Sequence, residues 1–149
     1  GKVDHGALVA LAERQFGGLE PGVPEPLSAA RYRGGELRAD RKFEQVHLTF
    51  GFPGVSFLDE RFFAMQVMST ILGDGMSSRL FQEVRENRGL AYSVYSFTAA
   101  LVDGGLFGIY AGTSPEQIDE LVTVIADEVR KMTDGPESRE FARARAQIK

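Results

Sequence analysis

Cysteine is missing altogether from this chain of 149 residues. Disulfides, thiolate nucleophiles and cysteine-ligated zinc are thereby excluded. Their absence fits a cytosolic or a matrix-like compartment, with the cytoplasm expected and a periplasm or a mitochondrial matrix as further settings. Histidine is nearly missing as well. His5 and His47 are the only two, they lie far apart, and neither HExxH nor HxxEH occurs, so a self-contained zinc-hydrolase site is excluded. No apolar run is long enough to span a bilayer, and nothing at Gly1 reads as a signal peptide. A basic surplus is lacking too: 17 Lys and Arg stand against 21 Asp and Glu, which argues against nucleic acid as a partner. What remains, 43% hydrophobic and 26% charged residues, is the composition of a folded globular chain.

Local signals divide the chain. Asp4 is a good N-cap, Val3 and Leu8 sit at the ends of a hydrophobic staple, and Leu8, Leu11, Ala12 and Phe16 make a helical stripe that Gly17-Gly18 ends. Residues 19–30, LEPGVPEPLSAA, hold three prolines and no periodicity, and read as a semi-rigid linker. Residues 1–18 are then expected to be the tail of a preceding first domain. Residues 31–149 would form a second, substrate-binding domain that is truncated at its C-terminus.

Beyond the linker, strands are expected over Gly35–Asp40 and Phe43–Phe52. Val46, Leu48, Phe50 and Phe52 lie on one face of the second strand, and Phe52-Pro53-Gly54 stops it. A helix follows over Arg61–Leu72, then a Gly73-Asp74-Gly75 break. A second helix is expected over Ser77–Arg88, with Ser77 as N-cap and Leu80, Phe81 and Val84 inward. Ala91–Ala100 and Leu106–Gly112 form a hairpin through Asp103-Gly104-Gly105. Ser114 and Gln117 spell a capping box that launches a long helix with stripe Ile118, Leu121, Val122, Ile125, Val129 and Met132. Asp134-Gly135-Pro136 breaks that helix, and a last one starts near Glu137. Antiparallel strand pairs followed by helices predict an α+β two-layer sandwich: a largely antiparallel sheet covered by helices on one face.

The densest stretch for chemistry is 74–97. Arg85 precedes Tyr92 by seven residues with Gly89 between, which can aim a guanidinium and a phenol from a helix end and a strand start into one cleft. Tyr92 can donate to an oxyanion and Arg85 can pair with a carbonyl or carboxylate, although both residue types are also common in purely structural roles. Glu83 and Glu86 beside Arg85, with Arg79 four residues before Glu83, read as an ion-paired helix face rather than an acid–base pair. His47 on the polar face of its strand, and His5, read as surface residues and not metal ligands. Gly73 and Gly75 lack the GK[ST] of a phosphate loop and give backbone freedom for close approach to a bound chain. Thr98, Ala99 and Ala100 offer a strand edge to which a peptide could add.

The segment DGMSSRLFQEVRENRGLAYSVYSF (74–97) resembles the second-domain signature of the insulinase/pitrilysin family of inverted-motif zinc peptidases. The closer match is the branch with the mitochondrial processing peptidase and its bacterial relatives. GKVDHGALVALAERQFGGL (1–19) and YAGTSPEQIDELVTVIADEV (110–129) extend the likeness. The resemblance implies a fold of paired α+β domains closing around a peptide, and zinc and a general-base Glu held by an HxxEH-bearing first domain. Arg85 and Tyr92 would face that zinc from the opposite half, Tyr92 stabilising the transition state and Arg85 anchoring substrate. In two-domain members the site is completed across a homo- or heterodimer. This chain lacks the HxxEH, so it is expected to bind no zinc and to be inactive alone. The alternative is a non-catalytic peptide-binding or scaffold subunit of the same fold. The short Gly73–Gly75 loop, without a long Gly-rich insertion, favours a bacterial-type relative.

Overall fold

A computed structural model describes residues 2–23 and 45–149. The expected strand over Gly35–Asp40 and most of the linker lie outside the described residues. Helix α1 (His5–Phe16) starts where Asp4 Oδ1 accepts from the Ala7 N–H at 2.8 Å, and it buries none of its residues. The remaining order is β1 (Val46–Gly54), α2 (Phe62–Leu72), a π-helix (Phe81–Asn87), β2 (Ser93–Ala100), β3 (Gly105–Thr113), α3 (Ile118–Lys131) and α4 (Ser138–Ile148), with short 3₁₀ turns on either side of α3.

The three strands form an antiparallel sheet in the order β1-β3-β2. Opposite residues share a face, so the register sorts the side chains. Val94, Ser96 and Thr98 of β2, Phe107, Ile109 and Ala111 of β3, and Leu48 and Phe50 of β1 turn toward the helices. There they pack on Leu72, Leu80, Val84, Leu121, Val124 and Ile125. The alternate residues, including His47, Thr49, Tyr95, Phe97, Leu106 and Tyr110, form an open face with no helix on it among the described residues. This is the α+β two-layer architecture that the sequence predicts.

Four details differ from the sequence reading. Strand β1 runs through Pro53 to Gly54, because it lies at the edge of the sheet among the described residues, where a residue with no N–H to donate is tolerated. Ser78, not Ser77, caps the next helix: its Oγ donates to Gly75 O at 2.8 Å and accepts from the Phe81 N–H at 3.4 Å. The capping box at Ser114 does not form, since the Ser114 hydroxyl donates instead to the Gln117 side chain at 3.4 Å. A complete box stands at α4, between Glu137 and Glu140.

Gly73 closes the sheet against α2. Its carbonyl accepts from the Ser96 N–H at 3.2 Å, and a Cβ there would lie 2.4 Å from the Ser96 nitrogen. Only glycine lets helix and strand meet so closely.

Candidate functional site

The chain between Ser78 and Ser93 builds the site by local rules. After one α-turn the backbone widens into the π-helix, where neighbours along one face stand about five residues apart. The ion pairs follow that spacing. Glu83 takes Arg88 at 2.8 Å and Asn87 at 3.0 Å, and Arg88 reaches on to Glu120 at 3.3 Å. Hydrogen bonds from Asn87 and then Arg88 hold the Glu83 carboxyl below its usual range, so it stays an ionised structural group. The expected Arg79–Glu83 pairing is absent. Widened winding takes the two out of line, and Arg79 makes a two-pronged pair with Glu140 of α4, at 2.8 and 2.7 Å. That guanidinium, first among the causes, pulls the Glu140 pKa down to about 2.

A glycine turn ends the π-helix, with two hydrogen bonds that are each one residue wider than those of a Schellman motif. Gly89 takes φ +64°, its N–H donates to Arg85 O at 3.1 Å, and the Leu90 N–H donates to Val84 O at 2.8 Å. Leu90 and Val84 are both buried and supply the apolar contact of the turn. The turn sends the chain straight into β2. The Tyr92 N–H donates to Gly112 O at 3.2 Å, although Gly112 is already the register partner of Ser93. Two successive residues therefore face one on β3, the arrangement of a β-bulge, which re-aims a side chain. Tyr92 is accordingly turned outward, 82% exposed, instead of following Val94 and Ser96 into the core.

Arg85 and Tyr92 are thus brought together. The Arg85 guanidinium carbon lies 5.4 Å from the Tyr92 ring centre and 4.8 Å from that of Phe81, so the cation is held between two rings. Each such contact is worth about 0.5–1 kcal/mol at an exposed site. Glu86 is a loose neighbour at 3.9 Å. The Arg85 side chain is 41% exposed, so its guanidinium remains open to a ligand. The Tyr92 hydroxyl has no hydrogen-bond partner among the described residues. Phe81 is the site residue that sequence reasoning missed. Its place four residues before Arg85 was the available signal, read only as core.

The other candidates lie apart from this pair. Gly73 is engaged with Ser96, and Gly75, at φ +84°, sits beside Gln147 of α4. Thr98, Ala99 and Ala100 occupy the far end of β2, about 20 Å of strand from Tyr92. Thr98 Oγ1 accepts from Gln66 at 2.8 Å, Ala99 is on the open face, and Ala100 pairs with Gly105. A peptide adding to β2 would find the Ser96 N–H already bonded to Gly73.

Two apolar grooves of about 520 and 490 Å³ lie on the helix layer, lined by residues such as Phe63, Met68 and Phe141, away from Arg85 and Tyr92. Among the described residues no group of three or more His, Cys, Asp or Glu could hold a metal ion, and His47 is bonded to Tyr110 at 2.6 Å. No helix among them is long and apolar enough to cross a membrane.

The chain is similar to known proteins in sequence and in fold. An uncharacterized zinc protease of Streptomyces coelicolor is 43% identical over 99% of the chain and 34% of its own length. One of Rickettsia bellii is 40% identical over 100% of the chain and 36% of its own length. The chain thus spans about a third of these relatives. The crystal structure of a peptidase M16 inactive domain from Pseudomonas fluorescens superposes with a TM-score of 0.68 at 30% identity, over 71% of this chain and 26% of that one. A chain of Complex III2 from Candida albicans shares the fold, with a TM-score of 0.81 at 21% identity, over 99% of this chain and 38% of that one. The model of one family, described as the peptidase M16 inactive domain, matches residues 1–148. With its α+β fold and its likeness to uncharacterized zinc proteases, the chain belongs to the peptidase M16 inactive domain family.

Proposed function

We propose that this chain is the substrate-contacting part of a zinc endopeptidase that cleaves polypeptides, and that Arg85 and Tyr92 act on the peptide from the side opposite the metal. One observation carries the reading: the guanidinium and the phenol are assembled into one exposed pair by a π-helix, a glycine turn and a bulge. The described residues offer no ligand set for zinc, so the metal belongs to another domain of the whole protein or to a dimer partner. In this arrangement the Tyr92 hydroxyl donates to the scissile carbonyl oxygen as negative charge grows on it. Arg85, fixed between its rings, anchors a neighbouring carbonyl or carboxylate of the substrate.

The test is steady-state cleavage of a polypeptide by the zinc-bearing whole protein. Tyr92→Phe is expected to lower kcat by about 10²–10³-fold while KM changes little, as for a contact made only in the transition state. An unchanged kcat removes Tyr92 from the chemistry. A whole protein that binds the peptide but never cleaves it points to a non-catalytic subunit of the same fold.

A further inference from the structure

We propose that Thr113, with Gln117 beside it, is a positioning residue for Tyr92: from the buried side it holds the turn that joins Tyr92 to Arg85. The role of that pair in cleavage rests on the function proposed above. Between Gly89 and Tyr92 the chain has left the π-helix and has not yet entered β2. The carbonyls of Gly89 and Leu90 therefore receive no backbone donor among the described residues. Leu90 is buried, and a carbonyl kept from water needs a partner from somewhere.

Thr113 is that partner. It ends β3 on the inward face of the sheet, where Phe107, Ile109 and Ala111 before it are all apolar. It alone of these brings a polar atom, and its hydroxyl donates to Leu90 O at 2.6 Å. Gln117 lies four residues further on, and its Nε2 donates to Gly89 O over a longer 3.4 Å. Its Oε1 stands 3.5 Å from the Thr113 hydroxyl, so the two side chains meet under the turn.

The register explains why Tyr92 needs this hold. Continued by one step past Ser93↔Gly112, it sets Thr113 opposite Tyr92, yet the Tyr92 N–H bonds to Gly112 O. The bulge leaves slack in the chain just ahead of Tyr92, and Thr113 pins that chain two residues before it. The ring itself is 82% exposed, with little packing to steer it, so its direction is inherited from the backbone of the turn. A phenol that acts only in the transition state is sensitive to such placement.

The experiment uses the zinc-bearing whole protein, steady-state cleavage of a polypeptide, and NMR without substrate. Thr113→Val keeps the shape of the side chain and removes the donor. It should lower kcat about ten- to hundredfold while KM stays within about threefold. Thr113→Ser keeps the donor and should hold kcat within about threefold of wild type. In Tyr92→Phe protein, Thr113→Val should cost less than about threefold more, because the hydroxyl that it positions is already gone. A kcat unaffected by Thr113→Val overturns the proposal even if the protein melts earlier. A loss that multiplies in full on Tyr92→Phe also overturns it, since a general loosening of the fold would act that way. If Thr113→Val does not fold, Gln117→Leu is read by the same cycle, with an expected loss of about two- to fivefold that vanishes in Tyr92→Phe. A loss that persists there overturns the proposal. The Arg85 Nε–H resonance, shifted by the Tyr92 ring, should move in Thr113→Val and not in Thr113→Ser; a resonance that stays put overturns the proposal. If it moves as expected but the wild-type protein cleaves no peptide, the positioning stands and the peptidase reading falls.

Discussion

At the scale of single residues, the pair at Arg85 and Tyr92 depends on a third side chain. A surface arginine ordinarily samples many rotamers, but here Phe81 lies under the guanidinium at 4.8 Å and Tyr92 beside it at 5.4 Å. Phe81→Leu keeps an apolar side chain and removes the ring face. Each cation–π contact is worth about 0.5–1 kcal/mol, so KM for peptide cleavage should rise about two- to fivefold with kcat nearly constant. Phe81→Tyr should restore it. The ring-current shift of the Arg85 Nε–H proton gives a reading independent of activity. If that resonance does not move in Phe81→Leu, Phe81 does not position the arginine.

Among the elements, the π-helix is held at both ends by unlike devices: the Gly89 turn after Asn87, and near its start the Arg79–Glu140 pair that ties it to α4. Both partners of that pair are largely withdrawn from water, at 16% and 13% side-chain exposure. The Glu140 carboxyl is lowered from 4.5 to about 2, chiefly by Arg79. A lowered carboxyl contributes its stabilisation fully above the unfolded value. That contribution fades as the pH falls from about 4.5 and is lost below about 2. Glu140→Gln keeps an acceptor for the α4 capping box but loses the charge. It should cost about 1–3 kcal/mol at neutral pH, and the gap to wild type in thermal melts should close toward pH 2. A pH-independent gap would show that the charge is not what matters.

The same elements show what could be read in advance. The Asp4 cap, the Asp103-Gly104-Gly105 hairpin and the break before α4 depend on two to four adjacent residues, and so were legible in the sequence. Arg85 and Tyr92 were legible as a candidate pair from their seven-residue spacing across Gly89. The π winding, the bulge at Tyr92 and the Arg79–Glu140 tie were not, because each is decided by contacts with β3 or α4 that no local pattern encodes. Periodicity also missed Val124 and Glu128 on α3. Both are buried, Glu128 with its carboxylate bonded to Lys131 Nζ at 2.6 Å, so the inward face of α3 is broader than its apolar stripe.

For the molecule as a whole, the alternation of one sheet gives it two unlike faces. Its inner face carries the core on which α2, α3 and the π-helix rest. Its outer face is a nearly uncharged aromatic surface beginning beside the Arg85–Tyr92 pair. The chain belongs to the peptidase M16 inactive domain family, and on the function proposed above its part would be to present surface and hydrogen-bond donors to the peptide.

The strand order β1-β3-β2 also sets the sequence of assembly. Every register pair between β2 and β3, from Ala100↔Gly105 to Ser93↔Gly112, joins residues fewer than twenty positions apart. Every pair between β1 and β3, from Gly54↔Gly105 to Val46↔Thr113, joins residues more than fifty apart. Closing the longer loop costs more entropy before any contact repays it, so the hairpin should be in place in the folding transition state and β1 should arrive later. In kinetic terms, Val94→Ala should slow folding in proportion to its loss of stability, while Leu48→Ala should mainly speed unfolding. The reverse pattern would mean that β1 nucleates the sheet. With the hairpin first, Tyr92 acquires its partner on β3 early, and the Arg85–Tyr92 pair is organised before the sheet that supports it is complete.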